Sequence, residues 1–206
     1  MSKTFLIADT HFGHNNMCVF TDKNGNPIRP WNSAEEMDIA MIELWNDTVQ
    51  DNDKVYVLGD AVIGRKHLST FGKLNGKKVL IKGNHDIFKL TDYTPYFYDI
   101  RGYHVMNGLI LSHIPIHAES LGRFGCNIHG HLHSNRVMTK VPYKELDGPG
   151  GSFGYQTFYK EGIDPRYFCV SAEHTEFKPM LFDDVCQAII DQGGEIGFKN
   201  GNGPTM

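Results

Sequence analysis

Five short polar clusters, each closing an apolar run, constrain this chain more than any other feature. They are Asp9-Thr10-His11, Gly59-Asp60, Gly83-Asn84-His85-Asp86, Ser112-His113 and Gly130-His131-Leu132-His133. The runs before them, Thr4 to Ala8, Lys54 to Leu58, Val79 to Ile81, Leu109 to Leu111 and the one ending at Ile128, are short and rich in branched residues. Such runs read as buried strands. Ligand sites in α/β sheets commonly lie at the carboxyl ends of strands. The pattern therefore predicts an α/β layered domain with one site along one edge.

Between the first two clusters, Ser33 reads as a helix N-cap, with Glu36 completing a capping box. Met37, Ala40, Met41, Leu44 and Trp45 recur at helical spacing, which predicts a helix from Ala34 to about Val49. A short helix or helical loop is expected over Gly64 to Leu74, a hairpin around Asn107-Gly108, and closing strands at Tyr167 to Ser171 and Lys178 to Phe182. Val185 to Gln192 reads as a last helix. Residues 1–192 are expected to form a single domain. Within it, residues 134–166 read as an irregular, substrate-facing insert containing Asp147-Gly148-Pro149-Gly150-Gly151-Ser152, and residues 193–206 as a frayed tail.

Net charge is -4, so a strongly basic nucleic-acid footprint is absent. Cys18, Cys126, Cys169 and Cys186 are scattered, which indicates neither a disulfide framework nor a zinc ribbon. No run approaches membrane-spanning length, and the N-terminus lacks a signal-like stretch. A cytoplasmic, membrane-independent protein is the expectation. The oligomeric state is left open.

The clusters supply carboxylates, one amide oxygen and several imidazoles. Asp9 and His11 lie two apart, so an extended backbone would point both the same way, as it would His131 and His133. The two pairs could clamp one ion from opposite strands. Asp60 follows an apolar strand and is either a cap or a ligand, and its two oxygens could bridge two cations. Asn84 offers a neutral, hard oxygen. His85 followed by Asp86 suggests an imidazole supported by a carboxylate, suited to general acid catalysis. Taken singly, each cluster has a commoner structural explanation, and for His113 that is a core or rim histidine. The joint occurrence in one chain order argues for a site that holds two divalent cations and hydrolyses a phosphate ester. The oxygen and imidazole mixture suits manganese, iron or zinc better than calcium. The absence of cysteine from the clusters argues against a structural thiolate zinc site.

At these residues the chain resembles the calcineurin-like metallophosphoesterase superfamily, whose pattern is D-x-H, G-D, G-N-H-[DE], a lone H and G-H-x-H. The stretch Ala8 to His14, with Arg29-Pro30-Trp31, looks like a small bacterial and phage branch, and Val170-Ser171-Ala172-Glu173-His174 resembles it more weakly. The resemblance implies a four-layer α-β-β-α sandwich, two facing β-sheets flanked by helices. It implies that Asp9, His11 and His133 bind one metal, that Asn84, His113 and His131 bind a second, and that Asp60 bridges them. The metals would be two divalent ions about 3.5–4 Å apart, manganese foremost, with iron, zinc or nickel as other choices. His85 would be the acid or phosphate-contacting group and Asp86 would orient it. His14 and Arg29 would contact substrate phosphate, although a structural role for Arg29 has equal weight.

The expected activity is phosphodiester hydrolysis on a small, nucleotide-like phosphoester. A phosphomonoesterase, a nuclease and a non-catalytic protein-binding scaffold on the same fold are the alternatives. The acidic charge counts against a polymeric nucleic-acid partner. The intact clusters count against the scaffold.

Overall fold

A computed structural model of the chain describes residues 2–146 and 155–199. Its strands are β1 (Thr4–Ile7), β2 (Lys54–Val57), β3 (Lys77–Ile81), β4 (Asp99–Arg101), β5 (His104–Met106), β6 (Leu109–Leu111), β7 (Asn127–His129), β8 (Met138–Leu146), β9 (Tyr155–Ile163), β10 (Tyr167–Cys169) and β11 (Met180–Leu181). One sheet has the order β11-β1-β2-β3-β4 and a second the order β10-β7-β6-β5. Strands β1 to β4 are mutually parallel, as are β6, β7 and β10. A parallel bridge between Ala8 and Ser171 joins the two sheets at their carboxyl ends.

Strand periodicity explains the layering. Phe5, Ile7, Val55, Val57 and Leu80 point to one face of the first sheet, where they meet Met37, Met41, Trp45 and Phe71. Their neighbours Leu6, Ala8, Tyr56, Leu58, Val79 and Ile81 point to the other face. There they pack on Leu109, Leu111, Ile128, Phe168 and Val170 of the second sheet. With both faces covered, these strands lose the polar alternation of a half-exposed sheet and read as continuous apolar runs. The far face of the second sheet is thinly covered: a single helical turn, Ala118–Leu121, lies over Ile110 and Tyr167.

The first long helix spans Ala34–Thr48 and buries Ala34, Met37, Met41 and Trp45. Ser33 caps it by accepting from the Glu36 N–H at 3.2 Å, while the Glu36 carboxylate accepts from Asn32 N–H at 3.0 Å. The expected reciprocal box is thus displaced by one residue. The hairpin at Asn107-Gly108 forms as expected, with both residues at positive φ (51° and 74°), as a two-residue turn of this type demands.

Two sequence expectations are corrected. Residues 134–166 are not irregular: β8 and β9 form a nine-residue antiparallel ribbon registered from Met138↔Ile163 to Leu146↔Tyr155. Pro142 and Gly162 disguise it as loop. In a two-stranded ribbon an outward-facing position needs no N–H donor, so proline is tolerated there. The Gly-rich tip, residues 147–154, lies outside the described residues. The segment after Gly193 is not simply frayed either. Phe198 bridges Phe124, and Gly125 N–H donates to Gly197 O at 3.0 Å. Residues 200–206 of the expected tail lie outside the described residues. Among the described residues no helix is long and apolar enough to cross a membrane.

Trp45 is 1% exposed and donates its indole N–H to Asn75 O at 3.1 Å. Trp45→Ala should lower unfolding stability by about 3–5 kcal/mol, measured by urea denaturation. A loss below 1 kcal/mol would show that the Ala34–Thr48 helix does not clamp the first sheet.

Candidate metal centre

All five clusters converge at the carboxyl ends of the two sheets. The chain turns sharply as it leaves each strand, and the turns have an unusual backbone. Asp9 (φ 57°), His11 (49°), Asp60 (53°), His131 (71°) and His133 (50°) are left-handed, as few non-glycine residues are. The Asp-x-His and His-x-His pairs are therefore not extended, and a strand-like period does not explain their direction. The glycines answer to close approach. A Cβ on Gly59 would stand 2.5 Å from the His113 ring, and one on Gly130 2.5 Å from Asp9 Oδ2. A Cβ on Gly83 would collide with Asp60 Oδ1.

The side chains fall into two groups. Asp9, His11 and His133 bring ligand atoms within 4.8 Å of one another, and so do Asp60, His113 and His131. The His131–His133 pair is thus divided between the groups rather than closing on one ion. Asn84 joins the second group, with Oδ1 2.9 Å from His113 Nε2. Asp60 lies between: its Oδ2 is 3.7 Å from His11 Nε2 and 3.3 Å from His113 Nε2. Its Oδ1 accepts the His85 N–H at 2.8 Å.

Surrounding hydrogen bonds aim these atoms. His113 Nδ1 faces the Leu58 carbonyl at 2.8 Å, which places a proton on Nδ1 and turns Nε2 toward Asp60 and Asn84. Asp9 Oδ2 accepts from Ser171 Oγ–H (2.7 Å) and from the His131 N–H (2.8 Å), leaving Oδ1 free. His133 Nδ1 lies 3.2 Å from Glu173 Oε1. The same Glu173 oxygen accepts from Arg29 Nε at 2.9 Å and stands 2.9 Å from the charged Nη2. An imidazole held this way on one nitrogen presents the other to a cation.

Two expected roles change. Arg29 is buried, and its remaining Nη1 donor meets Thr10 O at 2.9 Å while Nη2 also reaches Asp9 O. Its guanidinium is committed to the protein and does not face substrate phosphate. Asp86 does not orient His85. Its carboxylate accepts from the Asp60 (2.8 Å), Ala61 (3.1 Å) and Gly83 (2.8 Å) N–H groups and so pins the Asp60 turn to the Gly83 turn. His85 is exposed, with its ring 5.5 Å from that of His11. His14 is half-buried, with its ring 5.4 Å from the same ring.

Glu173 and Ser171 are site residues that the motif reading left without a role. A signal for them exists: Tyr167 to Val170 is an apolar run closed by Ser171 and Glu173, the same strand-then-polar arrangement once more.

Cations fit this centre. Asp9 Oδ1 and both ring nitrogens of His11 are buried without a hydrogen-bond partner among the described residues, an arrangement proteins otherwise avoid. Burial holds His11 well below its ordinary pKa, so the ring is neutral and offers a lone pair. Burial also pushes Asp9 up to about 6, against the lowering pull of His133 and His113. Burial disfavours the Asp60 carboxylate too, but His113, the His85 N–H and His11 outweigh it and bring Asp60 down to about 2. Lone pairs and carboxylate oxygens that converge without donors make a site for positive charge.

The two-sheet fold and its histidine–carboxylate centre are those of a known class. The calcineurin-like phosphoesterase family model matches residues 2–189, and the chain belongs to that family. An uncharacterized protein of Methanocaldococcus jannaschii is 34% identical over 145 residues, 66% of this chain and 73% of its own length. The Gene 66 proteins of Mycobacterium phages D29 and L5 are 34% and 30% identical over 42% of this chain. The match covers 41% of each phage protein, well under half its length. A crystal structure of a protein of unknown function from Aquifex aeolicus superposes with a TM-score of 0.63. It covers 91% of this chain and 100% of its own at 22% identity, a likeness of fold.

Glu173→Ala should strand the Arg29 guanidinium without its counter-charge and destabilise the fold by about 3–5 kcal/mol. Glu173→Gln, which keeps the acceptor, should lose less. Denaturation curves check both, and equal losses in the two variants would show that charge is not what Glu173 supplies.

Proposed function

We propose that this chain is a dinuclear, metal-dependent phosphodiesterase acting on a small, nucleotide-like ester, with manganese as its metal and the cytoplasm as its compartment. The observation that carries the reading is Asp60, whose Oδ2 faces a histidine of each ligand group, His11 at 3.7 Å and His113 at 3.3 Å. Asp9, His11 and His133 would hold one cation, Asn84, His113 and His131 the other, and Asp60 both. When bound there, two divalent cations would supply an acidified water and neutralise charge developing on phosphoryl oxygens.

The residues of the chain do the rest. The Glu173–His133 and Leu58–His113 hydrogen bonds fix which ring nitrogen faces the centre. The Asp86 bonds to the Asp60, Ala61 and Gly83 N–H groups keep the bridging carboxylate in place. In hydrolysis the water oxygen bonds to phosphorus as the bond to the leaving oxygen breaks. His85 stands exposed over the centre, free to give that oxygen its proton. His14, whose ring lies 5.4 Å from that of His11, would contact a phosphoryl oxygen. The net charge of -4 favours a small ester over a polymer, whose backbone needs cationic surface.

Asp60→Ala should remove both metals and all turnover of bis-p-nitrophenyl phosphate, checked by elemental analysis and a colour assay. Two metals retained per chain would contradict the bridging role. His85→Ala should keep both metals and lose about 10²–10⁴-fold in kcat. An unchanged rate on an ester with a poor leaving group would remove His85 from proton transfer.

A further inference from the structure

A groove of about 540 Å³ opens from the Asn84 and His113 side of the centre. Its walls are more apolar than polar, although Ser112 and Ser120 also line it. Tyr103 is 63% exposed and Ile114 51% exposed, and half-buried Ile116 and Lys82 line the groove with them. Nothing in phosphoester hydrolysis itself calls for a bare phenol ring and isoleucine next to a polar centre. Exposed large apolar groups gathered at one place mark a binding surface. The volume lies in the range that small-molecule sites occupy, and Gly102 on its wall faces open space.

From this juxtaposition we infer that the groove seats the retained substituent of a diester, the ester arm that stays on phosphorus, and that this arm is a flat aromatic group of the nucleobase class. The inference rests on the phosphodiesterase reading and narrows its substrate. Two geometric facts select the retained arm over the leaving one. The groove shares Asn84 and His113 with the second ligand group. His85, which would protonate the leaving oxygen, has its ring 5.5 Å from that of His11, in the first group. In-line displacement sets the attacking and leaving oxygens opposite each other, so the retained arm projects to the side. With the leaving oxygen toward His85, that side is the groove. Tyr103 offers a face on which an aromatic ring can stack. A monoester has no such arm and would leave the groove empty.

Two esters with one leaving group isolate the effect. Bis-p-nitrophenyl phosphate retains an aryl arm, and methyl p-nitrophenyl phosphate retains a methyl. In the manganese-loaded protein, Tyr103→Ala and Ile114→Ala should each lower kcat/KM on the bis-aryl ester about tenfold, chiefly through KM, as expected for loss of one stacking contact. The methyl ester should change less than twofold, and elemental analysis should still find two metals per chain. Equal losses on both esters, with wild type active on both and the metals retained, would overturn this inference alone, because the groove would then not distinguish the retained arm. No loss on either ester would also overturn it. A metal-loaded wild type that hydrolyses neither ester would remove the phosphodiesterase reading, and this inference with it.

Discussion

A guanidinium and a carboxylate buried together in the interior tie the two halves of this protein at its centre. Arg29 lies in the connection after β1 and Glu173 follows β10, 144 residues later. Their pairing removes two charges from water, which is unfavourable unless further hydrogen bonds complete it. Here they do. Arg29 also reaches the Thr10 and Asp9 carbonyls, and Glu173 also accepts from His133. The pair therefore sets the Asp9–His11 turn from the first sheet and the His133 ring from the second in one frame. Burial opposes the Glu173 carboxylate, but His133 and Arg29 outweigh it and hold it at about 2. Its charge is thus present throughout the neutral range.

The other half of the centre is organised by backbone donors. Asp86 gathers three N–H groups from the turns after β2 and β3, and Leu58 O aims His113. The first ligand group is thus framed by a charged network and the second by main-chain contacts. The open groove adjoins the second group, on the side where Asn84 is exposed.

Most of the fold was legible because it rests on local signals. Ser33 and the Met37, Met41, Trp45 stripe marked the first helix, and Asn107-Gly108 marked a hairpin. The apolar runs before the clusters marked strands covered on both faces. What stayed hidden depended on distant partners. The β8–β9 ribbon carries Pro142 and Gly162, and only their pairing across the hairpin makes a strand of them. The choice between substrate contact and structural pairing for Arg29 turns on Glu173, far away in sequence. Sequence adjacency pairs Asp86 with His85, whereas its carboxylate folds back on Asp60, Ala61 and Gly83. The grouping of the two histidines of Gly-His-Leu-His with different partners was not set by their spacing. It follows from the turns that carry them.

The left-handed turns also bear on how the motif letters should be weighed in relatives. Aspartate, asparagine and histidine adopt positive φ more readily than most side chains. Positions 9, 11, 60, 131 and 133 are all Asp or His and all left-handed. The geometry of the turns alone thus favours these residues, before any cation is considered. A relative without any catalytic role would still be under pressure to keep Asp or Asn at positions 9 and 60. Survival of those letters is weak testimony for activity. A buried imidazole with both nitrogens unclaimed among the described residues, as at His11, is stronger, because no hydrogen bond there accounts for it.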